Sequence, residues 1–314
     1  MRAVVLGGSG FIGSHLVDHL LDRGDEVVVV DSYLTGRKAN LSRRLGQARF
    51  RLVEHDICRP IPVVGQFDAV FNLASPASPI DYARLPLETL DVGSLGTRNG
   101  LDLARAAGAT FVQASTSEVY GDPLVHPQRE DYFGNVNPVG PRSCYDEAKR
   151  FSEALITTYA RVHGTRVQLA RIFNTYGPRM RIDDGRVVPA FVTQALQGQD
   201  FTVFGDGSQT RSFCFVEDLV RGLLLLCEKG DGMPVNLGNP VELTLREFAE
   251  AVRQAVGKGG ALKSVRPLPE NDPKQRKPVI ERAGRLLGWE PRVPLREGLP
   301  PTVAYFRAEL GLQA

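Results

Sequence analysis

The chain has 314 residues, 42% of them hydrophobic and 24% charged, a balance ordinary for a globular protein with one large domain or two lobes. Its formal net charge is +2 with both signs interspersed, which argues against nucleic acid, an anionic membrane or an acidic protein as partner and leaves a small anionic ligand to a local site. No apolar run approaches the roughly 20 residues that cross a bilayer, and a strand beginning by Arg2 leaves no space for a signal or transit peptide, so a cytoplasmic protein is expected.

Ala3 to Leu6 is an apolar run that leads into Gly7-Gly8-Ser9-Gly10-Phe11-Ile12-Gly13, followed by Leu16, Leu20 and Leu21 at helical spacing. Strand, glycine turn and helix in that order let backbone N–H groups meet a pyrophosphate at a helix N-terminus, where unpaired donors and the helix dipole both favour an anion. A second strand, Glu26 to Val30, ends in Asp31, whose carboxylate can hold the two hydroxyls of an adenosine ribose. That favours NAD over NADP. Arg37 and Lys38 could instead meet a 2′-phosphate, but Asp31 would repel it, and a solvated loop accounts for them. The Gly7, Gly10, Gly13 spacing is G-x-x-G-x-x-G, one position from the usual dinucleotide pattern, and points to a subset of reductases.

Strands are predicted at Phe50 to Val53, Ala69 to Leu73 and Thr110 to Ala114, with a helix near Leu90 to Ala107. This alternation implies a parallel sheet covered by helices on both faces. Asp56 and Ile57 follow the third strand and could line an adenine, or form a surface turn. Leu73-Ala74-Ser75 ends the fourth, where small residues suit a ligand crevice. Thr116, Ser117 and Glu118 follow the fifth strand and are expected to face the same crevice. A further strand, Gln168 to Phe173, ends in Asn174, after which the regular alternation breaks. A short helix near Ala190 to Gln197, an edge strand Phe201 to Phe204 and a turn carrying Arg211 come next. Residues 213–227 resume a helical pattern, Val235 to Gly238 reads as a strand, and helices are predicted from Leu243 to Val256, Gly284 to Trp289 and Leu299 to Leu310. Cys58, Cys144, Cys214 and Cys227 are widely spaced and form no C-x-x-C, so reduced thiols and no metal site are expected.

Tyr145 and Lys149 stand four residues apart at the start of a predicted helix, which puts both side chains on one face. A phenol ionises only near about pH 10 in water, so Tyr145 needs a neighbouring cation to serve as a base, and Lys149 is placed to be that cation. Such spacing is common by chance, and the surrounding motifs give it weight.

Gly7 to Gly13, Asp31, Thr116 to Gly121, Tyr145 to Lys149, Arg171 to Arg179 and Gly205 to Arg211 together resemble the extended short-chain dehydrogenase/reductase family of nucleotide-sugar enzymes, over essentially the whole chain. Within it the resemblance is strongest to the UDP-glucuronate decarboxylases, or UDP-xylose synthases. The strings that carry it run from Leu73 to Pro79, Thr116 to Pro123, Gly134 to Pro138 and Asp272 to Pro278. The resemblance implies an α/β, Rossmann-type doubly wound parallel sheet with a smaller C-terminal substrate-binding lobe. The NAD-binding domain would comprise residues 1–172 and 213–238, and the nucleotide-sugar lobe residues 173–212 and 239–314. Related 4,6-dehydratases carry an acid where this chain has Ser117, so elimination of water lacks its proton donor here. Related 4-epimerases commonly have small hydroxyl residues at the position of Glu118. Phe204 stands where the decarboxylases more often have Tyr.

What the resemblance implies is an NAD-dependent decarboxylase in which Tyr145, with Thr116 and Lys149, oxidises C4 of a nucleotide-linked glucuronic acid. Arg276 then engages the sugar carboxylate, and Glu118 assists its loss or the reprotonation. Gly7, Gly10, Phe11, Ile12, Gly13, Asp31, Asp56, Ile57, Leu73, Ala74 and Ser75, with Tyr145 and Lys149, hold NAD. Ser117, Asn174, Val188, Arg211 and Arg276 hold the substrate. A 4-epimerase of the uronic acid is the alternative in the same fold, and a silent NAD-binding protein would lack Tyr145 or Lys149. The resemblance also implies a homodimer through the helix near Leu90 to Ala107 and the Tyr145 helix, and Leu155, Ile156 and Tyr159 extend an apolar stripe there.

Overall fold

Strands covered on both faces read as unbroken apolar runs, which is why Ala3, Val4, Val5 and Leu6 follow one another without a polar residue: all four are fully buried. In the computed structural model, which describes residues 1–266 and 275–313, six strands are β1 (Arg2–Leu6), β2 (Glu26–Asp31), β3 (Phe50–Glu54), β4 (Ala69–Asn72), β5 (Thr110–Thr116) and β6 (Val167–Ile172), of which β3 at the edge has no fully buried residue. With Pro234–Leu237 as an edge strand they form one seven-stranded sheet in the order edge strand, β6, β5, β4, β1, β2, β3. Every pairing is parallel. The expected Rossmann-type α/β fold is present, and each predicted strand of this sheet lies within a residue or two of its observed bounds.

Register decides where a site can form. Leu6 pairs with both Val30 and Asn72, Asn72 with Gln113, and Thr116 with Ile172, so the carboxyl ends of the central strands finish side by side. The strand order reverses between β1 and β4, and at such a switch point the connecting segments leave in opposite directions and open a crevice. Asn72 and Gln113 are buried beneath it and joined by one bond, Asn72 Nδ2 donating to Gln113 Oε1 at 2.9 Å, while Asn72 Oδ1 has no partner.

Two helix layers cover the sheet. α1 (Phe11–Asp22) and the Val216–Lys229 helix share a core with one face through Leu16, Leu20, Leu219 and Leu223. The Thr97–Ala107 and Ser143–His163 helices cover the other through Leu101, Ala104 and Ile156. The helix expected near Leu90 starts earlier, as Pro86–Asp91, and joins Thr97–Ala107 through a π-turn at Val92–Gly96. There a Cβ on Gly93 would come within 2.7 Å of Ala148 Cβ, so the missing side chain lets the two helices approach closely. That contact sets the helix carrying Tyr145 and Lys149. Ile156 and Tyr159 are buried in the core of the sheet and Leu155 packs against it, so their apolar stripe is accounted for within the chain.

The remaining strands lie outside the main sheet. Phe201–Phe204 pairs in parallel with Leu262–Arg266, a strand that the glycines before it concealed from sequence reading. Thr210–Ser212 pairs antiparallel with Glu242–Thr244, and Cys214–Phe215 in parallel with Thr175–Tyr176. The last helix runs Leu295–Glu309, one turn earlier than predicted, because burial of Leu299, Val303 and Phe306 holds it together across Pro300 and Pro301. Of the string Asp272 to Pro278 that carries part of the resemblance, Asp272, Pro273 and Lys274 fall outside the described residues.

Candidate active site

The glycine turn is shaped by its own contacts. A Cβ on Gly7, where φ is +76°, would meet the Ala74 nitrogen at 2.6 Å, and one on Gly13 would meet the Gly7 carbonyl at 2.2 Å. At Gly10 the nearest atom is the Gly7 carbonyl at 3.3 Å, so this position opens toward the crevice. Gly10 is also the N-cap of α1 and no side chain caps it, so the first-turn amides are left for another acceptor. Asp31 fixes the loop from the other side: its carboxylate accepts from Ser9 N at 2.9 Å and Tyr33 N at 2.8 Å. Each carboxylate oxygen keeps a lone pair for a hydroxyl.

Two adjoining cavities meet at this turn and share Gly7, Gly10, Leu73 and Ser75. One extends over Asp31, Asp56, Ile57 and Ala74. The other extends past Phe11, Ile12 and Gly13 to Thr116, Ser117, Glu118, Tyr145, Lys149 and Asn174. A bare anion-binding turn, a carboxylate at the end of β2 lining one cavity and a second cavity reaching a phenol fit a dinucleotide. Arg37 donates to Glu309 at 2.6 Å in the last helix and also lines the second cavity. Asp56 is exposed and accepts from Cys58 N at 2.9 Å, forming the turn that was its alternative reading while still lining the cavity.

Tyr145 stands at the inner end of the second cavity, buried, with its ring stacked on Tyr82 at 5.1 Å between centroids. Burial and the charge of Glu118 push its phenol above the ordinary value, while a hydrogen bond with Thr116 and the charge of Arg186 act in the opposite direction. Lys149 Nζ lies 5.7 Å from the centre of the Tyr145 ring and donates to the Ala114 carbonyl at 3.0 Å. Burial lowers the Lys149 ammonium to about 8. Arg186, pinned by two bonds to Asp184, is a cation that the sequence did not single out, because it lies forty residues away and only folding brings it near.

Glu118 sits on the short turn Ser117–Tyr120 that follows β5. Arg276 grips it as a fork: Nη1 donates to Oε1, and Nη2 to Oε2 at 2.7 Å. Arg142 donates to the same Oε2 at 2.5 Å, and its Nε lies 3.8 Å from Asp146. Burial opposes the charge on Glu118, but the two guanidinium groups outweigh it and hold the carboxyl well below the usual range. Burial and the neighbouring Glu118 raise Asp146. Arg142 and Asp146 frame Tyr145 in the sequence, yet nothing in their spacing pointed to Glu118. Val188 is buried in the core at the start of the Val187–Leu196 helix. Arg211 lies on the Thr210–Ser212 strand. Among the described residues, neither lines the Tyr145 cavity.

Residues 3–238 match the model of the NAD dependent epimerase/dehydratase family. The chain belongs to that family. UDP-glucuronic acid decarboxylase 5 of Arabidopsis thaliana is 52% identical over 99% of this chain and 91% of its own length. UDP-glucuronic acid decarboxylase 1 of Xenopus tropicalis is 51% identical over 100% of this chain and 74% of its own. Among solved structures, UDP-glucose 4-epimerase of Thermotoga maritima with UDP-glucose superposes with a TM-score of 0.90 at 31% identity, covering 99% of this chain and 100% of that one. UDP-glucuronic acid 4-epimerase of Bacillus cereus with UDP-glucuronic acid and NAD gives 0.85 at 26% identity, covering 98% and 100%. In this epimerase/dehydratase chain, as in its family, NAD is the cofactor.

Replacing Tyr145 by Phe keeps the stacked ring and removes the hydroxyl, so turnover should fall about 10²-fold or more while NAD titrates as before. Near-normal turnover would exclude Tyr145 as the base. Lys149 gives a linked test of burial. Its folded value lies below its unfolded one, so the unfolded chain binds more protons between about pH 8 and pH 10.5. Stability relative to a Lys149→Met variant should therefore rise across that window in urea titrations, and a flat difference would show that the ammonium is not disfavoured by its site.

Proposed function

We propose that the chain removes the C6 carboxylate of UDP-glucuronate as carbon dioxide and yields UDP-xylose through a 4-keto intermediate. The observation that carries this is the Arg276 fork closed on Glu118, whose carboxylate lines the Tyr145 cavity although Arg276 itself does not. A planar guanidinium binds a carboxylate by two parallel bonds; here Glu118 takes both, so in this reading the substrate carboxylate displaces Glu118 from the fork. Gly7, Gly10, the first turn of α1 and Asp31 would hold NAD, which supplies the hydride acceptor for C4 and returns the hydride at the end.

Tyr145 takes the proton of the C4 hydroxyl, and Thr116, bonded to it, keeps the phenol aimed at that oxygen. The resulting ketone lies β to the carboxylate, so the electrons of the breaking C5–C6 bond pass to the ketone oxygen, where Thr116 and protonated Tyr145 stabilise the charge. A proton must then reach C5, because release of neutral carbon dioxide from a carboxylate consumes one. Arg276 and Arg142 hold Glu118 ionised, so in this scheme it orients the water that delivers this proton and does not supply the proton itself. Ser117, where a dehydratase would have an acid, leaves no donor for a departing hydroxyl. Arg276 must not hold the substrate carboxylate more tightly than the departing one, since catalysis depends on stronger contacts in the transition state.

Asn174 and Ser117, on the cavity wall, are the sugar and diphosphate contacts in this scheme. We place the protein in the cytoplasm as a homodimer. Four free cysteines support a reducing compartment. Leu87, Leu90, Leu95 and Phe151 are exposed on the adjoining helices of the proposed interface, and exposed apolar side chains on those helices support pairing. Light scattering at micromolar concentration should give twice the chain mass; a monomer would refute the pairing.

Incubation with UDP-glucuronate and NAD+ should release carbon dioxide and give a product with the mass of UDP-xylose. A product of unchanged mass would favour a 4-epimerase. Arg276→Lys keeps the charge but loses the fork, so carbon dioxide release should fall about 10-fold or more while NAD+ still binds. NADH absorbance should then appear without matching carbon dioxide. Wild-type release would remove Arg276 from the site.

A further inference from the structure

Glu118 and Arg276 meet from two separate parts of the chain, one on the turn after β5 and the other on the segment 275–279. We propose that Asn236, on the edge strand of the sheet, is the positioning residue that sets the spacing between them. The inference rests on the decarboxylase reading, because it assigns Asn236 to the step that Arg276 serves.

Asn236 is fully buried and every polar group of its side chain is used. On one side its Oδ1 accepts from the Tyr120 hydroxyl at 2.8 Å, and Tyr120 ends the turn that carries Glu118. On the other side its Nδ2 donates to the carbonyls of Gln128 and Val279, both at 3.1 Å. Gln128 is itself fully buried and grips the same segment: its N donates to the Lys277 carbonyl at 2.9 Å, its Oε1 accepts from Lys277 N at 2.9 Å, and its carbonyl accepts from Val279 N at 2.8 Å. One amide thus ties the Glu118 turn to the Arg276 segment, and the main-chain bonds of Gln128 carry the tie to the peptide next to Arg276.

The tie is anchored to the sheet. Asn236 pairs in register with Arg171 on β6, and Arg171 donates to the Tyr120 hydroxyl at 3.1 Å while Glu153 holds its guanidinium through two bonds. Polar groups buried this completely are costly unless satisfied, so the network has one arrangement. A displacement of about 1 Å at a reacting group can cost 10²-fold in rate, so the length of this chain of bonds matters to the chemistry. From the sequence, Asn236 is only a polar residue in a short strand.

Asn236→Asp keeps the acceptor for Tyr120 but turns an oxygen toward two carbonyls, releasing the Arg276 segment. Tyr120→Phe keeps the ring and cuts the other end of the tie. In either variant carbon dioxide release should fall about 10-fold or more, with NADH absorbance appearing unmatched, while affinity for UDP, which lacks the sugar acid, should stay within about twofold. Combined with Arg276→Lys, Asn236→Asp should add less than about threefold, since both act on one interaction. Thermal melting checks folding, and if Asn236→Asp does not fold, Tyr120→Phe carries the test. Equal loss of oxidation and decarboxylation, or losses that multiply with Arg276→Lys, would overturn the role of Asn236. If the wild type releases no carbon dioxide, or Arg276→Lys leaves the two steps coupled, it is the decarboxylase reading that fails, and the assignment of Asn236 with it.

Discussion

A carboxylate taken out of water costs several kcal/mol unless cations and hydrogen bonds replace the lost hydration, and Glu118 is such a carboxylate. The requirement reaches far from the turn that holds it. Arg142 must come from the start of the Ser143–His163 helix and Arg276 from the C-terminal part of the chain. The site therefore closes only when elements far apart in sequence have docked. Removing one partner would leave buried charge uncompensated, which is far more costly than the net worth of the pair. This makes the ion pair a poor source of stability but a sharp determinant of geometry.

The sheet provides the frame for that geometry. Parallel strands in common register bring Leu6, Asp31, Asn72 and Thr116 to one edge, and the reversal of strand order opens the crevice there. Gly93 against Ala148 lets the helix bearing Tyr145 and Lys149 lie close, so that Lys149 reaches the Ala114 carbonyl. Burial then works against both ionic forms, raising the phenol and lowering the ammonium. Thr116 and Arg186 oppose the first effect. Burial wins that balance and leaves the phenol above its ordinary value.

Much was legible in the sequence because it is local. A strand buried on both faces must be apolar, a turn with Gly7 at positive φ and Gly13 against a carbonyl tolerates no side chain, and residues four apart on a helix must share a face. These constraints specify the α/β order, the dinucleotide turn, Asp31 and the Tyr145–Lys149 pair within short windows. The similarity of long strings then pointed to the chemistry, including Glu118 and Arg276.

Tertiary structure alone decided what those residues touch. That Arg276 holds Glu118, that Arg142 shares it, that Arg186 lines the same cavity as Tyr145 and that Asn236 links the two halves of the pair are facts of docking between segments with no common period. The stripe of Leu155, Ile156 and Tyr159 makes the same point in reverse: its apolar character was plain, but only the fold showed that the sheet covers it. Side-chain type and spacing determine which face of an element is apolar or charged. Which partner meets that face depends on burial and charge compensation summed over the whole chain, and no local window contains that sum.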